Sequence, residues 1–131
     1  MKKLLLIFTL LFSTLMFSTP SYGEWTKMLE TNERNYYVDI DSIRKQGGYI
    51  YFWQLSDYFK PSPSGRLSGK IYKQVDCKLF RIKVLSDQYY NERMGRGPIA
   101  SYSNEPDKNW RYPSPNSINE KIQNIICQSF R

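Results

Sequence analysis

Cys77 and Cys127 are the only cysteines in the 131 residues, and their fate depends on the compartment the chain reaches. The first 23 residues speak to that. Lys2 and Lys3 form a positive start, and an apolar run from Leu4 to Phe17 follows, broken only by Thr9, Ser13 and Thr14. Ser18 to Gly23 is polar and contains Pro20, with the small residues Ser21 and Gly23 placed three and one positions before a cut ahead of Glu24. This is the three-part layout of a secretory signal peptide. The competing reading is a membrane anchor, but a span takes about 20 apolar residues and a run of roughly 10–14 more often belongs to a signal peptide. The sequence thus reads as a signal peptide over 1–23 and a single mature domain over 24–131. An exported chain meets oxidising conditions, and two cysteines can pair in only one way within it. A Cys77–Cys127 bridge would close a loop of about 50 residues, which loop-closure entropy values at about 4 kcal/mol. Two free thiols, or a bond between chains, are the alternatives.

The chain has no histidine. Ser-His-Asp and Cys-His catalysis are therefore excluded, as is any histidine-containing zinc site, and two cysteines cannot build an all-cysteine one. Asp39 and Asp41 form a D-x-D pair, but no glycine and distal glutamate follow at the spacing of a calcium loop. Asp39, Asp41 or Asp57 could in principle pair as acid and base; capping and turn roles explain them more simply. The sequence implies no catalytic residue, no metal site and no cofactor.

Charge is uneven. The whole chain carries +7, and the mature part, without Lys2 and Lys3, +5. The stretch from Lys60 to Arg96 holds the entire positive excess. Lys70, Lys73, Lys78, Arg81, Lys83, Arg93 and Arg96 are its candidate binding surface, suited to acidic glycans, lipid head groups or acidic proteins. An ordinary solvated strand face is the competing reading. Nucleic acid is an unsuitable partner for an exported domain with no nucleic-acid-binding motif, and no second apolar run offers a stable membrane anchor.

Secondary structure can be read along the mature part. Trp25–Leu29 is a candidate strand, residues 32–35 a turn, and Tyr36–Asp39 a short β-prone segment. Asp41–Lys45 reads as one helical turn with Asp41 as its cap, ended by Gln46-Gly47-Gly48. Tyr49–Leu55 is the strongest strand, aromatic or β-branched nearly throughout and apolar on both faces, as suits a central strand covered on both sides. Trp53 should therefore be largely buried. Lys60–Gly69 is a Pro-, Gly- and Ser-rich loop. Lys70–Cys77 and Phe80–Leu85 are strands whose apolar positions switch parity, which requires a tight turn or a β-bulge at residues 77–79. Period-two alternation around Ile82 puts Arg81 and Lys83 on one exposed face. Residues 89–110 are long for a structureless loop, and a short strand is expected near Ile99–Tyr102. Ser117 and Glu120 form a capping box before a helix whose Ile118, Ile122, Ile125 and Ile126 recur at helical spacing. Those four should pack on Tyr49–Leu55 and Phe80–Val84, with the disulfide pinning the helix to the sheet near Cys77.

An ordered series of short motifs runs through the mature part. It comprises Trp25; Tyr36-Tyr37-Val38-Asp39 with Ser42-Ile43; Trp53-Gln54-Leu55-Ser56-Asp57-Tyr58; Asp76-Cys77; Tyr90 with Met94-Gly95-Arg96-Gly97; Trp110; and Pro115-Asn116-Ser117 before a helix ending at Cys127. The series resembles the surface-adhesin protein E family of Proteobacteria. That resemblance implies an α+β fold, a small antiparallel sheet with a C-terminal helix packed on one face and joined to it by a disulfide. It also implies a surface-exposed protein that binds matrix and plasma glycoproteins of a host. The chain departs from the family's lipidated adhesin in having no cysteine at the cleavage site, and no binding residue carries over from the resemblance. Two functions follow. One is an exported, non-enzymatic surface or envelope protein with a protein or anionic glycan partner. The other is a periplasmic accessory or structural protein that docks an envelope partner.

Overall fold

The computed structural model describes residues 24–131; the signal-peptide reading over 1–23 lies outside the described residues. Seven strands form one sheet: β1 (Trp25–Glu30), β2 (Arg34–Asp39), β3 (Arg44–Gln46), β4 (Tyr49–Tyr58), β5 (Ser68–Asp76), β6 (Arg81–Tyr90) and β7 (Ile99–Ser103). Helix α1 (Ile118–Phe130) closes the chain. The spatial order is β1-β2-β4-β5-β6-β7, every pairing is antiparallel, and β3 pairs with β4 beyond the end of β2.

Local sequence accounts for the connections. Gly47 and Gly48 both take positive φ, +60° and +83°, the conformation of a two-residue hairpin turn that L side chains avoid, so β3 returns directly into β4. This corrects the expected helical turn over Asp41–Lys45. One 3-10 turn covers Ile40–Ser42, Asp39 rather than Asp41 precedes it, no side chain caps it, and Arg44 onward is strand. The parity switch after β5 is a tight turn. Asp76 Oδ1 accepts from the backbone N–H of Lys78 (3.1 Å) and Leu79 (3.2 Å), Phe80 takes φ 51°, and Asp76 and Arg81 end opposite each other across the hairpin. A separate register shift lies inside that hairpin, between Tyr72 and Lys73.

Ser117 Oγ caps α1 by accepting from Glu120 N (3.2 Å), and the Glu120 carboxylate reaches back to Asn116 N (3.0 Å). Ile122 and Ile126 are buried with Val38, Ile50, Phe52, Val75 and Ile82, and Ile118 packs at their border. Ile125 is only half-buried. In its place Gln123 faces inward, donating to Arg81 O (3.3 Å). Cys77 and Cys127 are joined, with Cα atoms 5.6 Å apart. The bond ties the last turns of α1 to the turn after β5.

One helix covers one face. Ile50 and Phe52 of β4 point under it and Gln54 follows on the same side, whereas Tyr49, Tyr51 and Trp53 alternate to the other side. Trp53 is accordingly half-buried rather than largely buried.

Candidate binding surface

The face away from α1 is built from the odd positions of β4 and the even positions of its partner β5. Trp53 lies opposite Tyr72 and Tyr51 opposite Gln74. The Trp53 and Tyr72 rings sit 4.9 Å apart between centroids and those of Tyr51 and Tyr72 6.3 Å apart, spacings at which aromatic pairs attract. Polar groups fix the stack: Arg44 Nη2 donates to Tyr72 Oη (2.7 Å) and Gln74 Nε2 to Tyr51 Oη (3.2 Å).

Both ends of this face are closed. At one, residues after β7 run back along β6, with Arg111 and Ile82 exchanging backbone hydrogen bonds (2.8 Å each). This brings Trp110 within 5.4 Å of the Tyr49 ring, and the Arg81 guanidinium and Lys83 ammonium lie 4.3 and 4.9 Å from the Trp110 ring centre, within cation–π range. At the other end the segment Arg93–Gly95 is clamped over β4. Asp57, 1% exposed, accepts from Arg93 Nε (3.0 Å) and Met94 N (2.7 Å), and Gly95 N donates to Ser68 Oγ (2.8 Å). Gly95 lies so close to Lys70 that a Cβ there would stand 2.4 Å from Lys70 Cε. Between the two closed ends, Tyr51, Trp53 and Tyr72 remain half-exposed.

The seven basic residues singled out from the sequence do not form one surface. Arg81 and Lys83 share the aromatic face, as alternation predicts, but both are half-buried. Arg81 is paired with buried Asp76 (Nε–Oδ2 2.9 Å). Desolvation tends to raise the Asp76 carboxyl; hydrogen bonds from Arg81 and from the Leu79 and Lys78 N–H groups outweigh it and hold it below its usual value. Lys70 is half-buried on the same side, its ammonium 5.0 Å from the Tyr90 ring centre, and burial lowers its pKa. Arg93 is committed to Asp57, while Lys78, in the hairpin turn, and Arg96 are exposed.

Lys73 must be removed from the surface altogether. It points to the α1 side and is 4% exposed. Its Nζ donates to Gln54 Oε1 (2.7 Å) and Asn119 Oδ1 (3.3 Å). Burial, with a smaller push from Arg111, lowers its pKa from 10.5 to about 8. Lys73 shares its parity with Ile71 and Val75, so the sequence carried the signal of its burial. The aromatic residues that dominate the open face, Tyr51, Trp53 and Tyr72, were absent from the charge-based selection. Their signal was the unbroken aromatic parity of 49, 51 and 53 beside a sheet whose two faces have one α-helix between them among the described residues.

This architecture has relatives. The model of the family described as surface-adhesin protein E matches residues 25–128. The chain belongs to that family. Solved structures of Haemophilus influenzae protein E share its fold. Crystal form II superposes with TM-score 0.62 at 20% identity, over 84% of this chain and 91% of that one. The selenomethionine form gives 0.61 at 21%, over 85% and 91%. Protein E from non-typeable Haemophilus influenzae gives 0.59 at 22%, over 85% and 79%. No curated protein sequence matches the chain. Membership places it among surface adhesins, and among the described residues no helix is long and apolar enough to cross a membrane.

Proposed function

We propose that this chain is an exported, non-enzymatic binding protein of the cell surface or envelope. Residues 1–23 act as a cleaved signal peptide. The mature domain takes extracellular glycoproteins or other anionic partners on the sheet face that α1 leaves open. The observation that carries this reading is the Trp53–Tyr72–Tyr51 stack, half-exposed and bordered by Arg44 and Lys83. Neither cation belongs to an ion pair among the described residues. Flat rings provide stacking area for sugar faces or partner side chains, and guanidinium and ammonium groups favour acidic substituents. Such a surface should bind immobilised heparin or a matrix glycoprotein at low salt and release it as salt rises. Trp53→Ala and the double change Arg44→Glu, Lys83→Glu should each weaken binding about tenfold or more. A wild-type protein that binds neither ligand would remove the reading.

The same face suits docking on an envelope protein, and the lack of a cysteine at the cleavage site favours a periplasmic accessory role as the second reading. Protease treatment of whole cells separates the two. Digestion of the intact-cell protein supports surface display; protection until lysis supports the periplasmic role.

A further inference from the structure

The other side of the sheet holds a different feature. Helix α1 packs over Val38, Ile50, Phe52, Val75 and Ile82 and leaves the rest of its face uncovered. Beyond its N-terminus lies a cavity of about 420 Å³, walled by β2, β4, β5, β6, residues 111–114 and the first turn of α1. That volume is within the range of small-molecule sites, roughly 300–1,000 Å³.

Its charge is one-sided. Lys73, Arg34 and Arg111 line it, and among the described residues no carboxylate does. Arg111 is already engaged, bonded to Asp107 outside the cavity (Nε–Oδ2 2.7 Å). Arg34 lies 4.5 Å from the Tyr58 ring centre and, like Lys73, belongs to none of the ion pairs among the described residues. Lys73 is withdrawn from water with two neutral amide oxygens as its partners. A buried ammonium is costly unless an anion compensates it, and the side chains around it supply none. The wall facing it is the first turn of α1, whose own N-terminus is already served by Ser117 and Glu120, so the uncompensated buried charge of the cavity is that of Lys73. The remaining walls include Ile71, Val84 and Ile118, which suit a carbon skeleton.

We propose that this cavity binds a small organic carboxylate, its carboxylate set against Lys73 and Arg34 and its carbon skeleton against Ile71 and Val84. The site is independent of the aromatic face on the opposite side. A bound carboxylate supplies the counter-charge Lys73 lacks, so binding should be strongest while that lysine is protonated. The other titratable groups facing the cavity are Arg34 and Tyr36 from β2 and Arg111 and Tyr112 from the segment after β7; β4, β6 and α1 present none.

The test is titration of the oxidised protein with hexanoate, D-glucuronate, inorganic phosphate and sulfate, with hexanol and glucose as neutral counterparts. It is followed by NMR at the backbone amides of Ile71, Lys73 and Asn119 and by calorimetry. At least one carboxylate should saturate these shifts, its neutral counterpart should not, and the two carboxylate arms identify the skeleton as aliphatic or sugar-like. Affinity should fall tenfold or more in Lys73→Met, fall also in Arg34→Gln, and weaken in the wild type between pH 7 and pH 9.5. Far-UV circular dichroism of both variants confirms that the fold persists. Absence of saturable binding by either carboxylate would overturn the proposal. So would binding that is indifferent to Lys73→Met, or phosphate or sulfate binding as tightly as both carboxylates.

Discussion

Without ligand, Lys73→Met should stabilise the domain although it deletes two hydrogen bonds. Burial lowers the Lys73 pKa from 10.5 to about 8, and at 1.36 kcal/mol per pH unit the charged form costs the folded state roughly 3 kcal/mol at neutral pH. Against this stand the bonds to Gln54 and Asn119. Asn119 is exposed and regains water, whereas Gln54, 3% exposed, keeps an unsatisfied oxygen at a cost of about 1–2 kcal/mol. Methionine fills similar space with apolar atoms. The net expectation is a gain of about 1–2 kcal/mol, and each 1 kcal/mol should raise the melting temperature by about 4–8 °C. The pH dependence gives an independent check. Because the folded pKa lies below the unfolded one, the unfolded state binds more protons between about pH 8 and 10.5, and wild-type stability rises with pH through that window. Roughly 2 kcal/mol should be recovered at Lys73 by pH 9.5, and Lys73→Met should lose that part of the rise, keeping only the contribution of Lys70, whose pKa burial also lowers. Tyr58, Tyr89 and Tyr90 act in the opposite sense. Burial raises their pKa values above 10.0, so their contribution is present below that pH and is lost above it, and the measurement should stop at 9.5. Urea denaturation at pH 7 and pH 9.5 reads both quantities. A variant that keeps its fold but loses 1 kcal/mol or more, beside a wild type that gains nothing at pH 9.5, would refute the account of Lys73 as an uncompensated buried charge.

Ile122, 1% exposed under the centre of α1, should not tolerate a carboxylate; Ile122→Asp is expected to be unfolded by circular dichroism even when oxidised, whereas Cys127→Ser should fold and melt earlier, losing up to about 4 kcal/mol. The opposite ranking would make the disulfide, not the hydrophobic face, the main determinant of helix docking. Asp57→Ala removes the acceptor for Met94 N and for Arg93 and should cost about 1–3 kcal/mol, with hydrogen-exchange protection lost at Gly95 before the rest of the sheet. The Asp76 and Asp107 carboxyls are both held below the usual 3.8 by hydrogen bonds that outweigh their desolvation. Their contribution is present above pH 3.8 and disappears as pH falls through the lower folded values, so Asp76→Asn should flatten the acid limb of a stability–pH curve.

Strand and helix were legible where local chemistry decides them. The capping box at Ser117 and Glu120, the isoleucines at 118, 122 and 126, and the β-prone run from Tyr49 each carry their own signal. Errors arose where a side chain's environment depends on elements distant in sequence. Trp53 looks like core in a run apolar on both faces, yet a single helix leaves one face open. Lys73 looks like surface among so many lysines, although Ile71 and Val75 share its parity and point inward. Ile125 fits the helical stripe, but the docking angle of α1 turns Gln123 inward instead. The open aromatic face was invisible to charge counting because the rings that dominate it are uncharged. The cavity beside α1 could not be read at all, since it is bounded by what the helix fails to cover.

The Cys77–Cys127 bond also has a mechanical meaning. Its two ends are 50 residues apart, and β6, β7 and all but the last residues of α1 lie between them. If the ends of residues 24–131 were drawn apart, tension would cross the sulfur bridge and bypass everything enclosed. Fully extended chain reaches about 3.3–3.6 Å per residue, so roughly 170 Å of length stays out of reach of the force. Only the part before Cys77 and the few residues after Cys127 could pay out. The oxidised domain is thus a short tether that stiffens early, and reducing one bond would nearly double its reach.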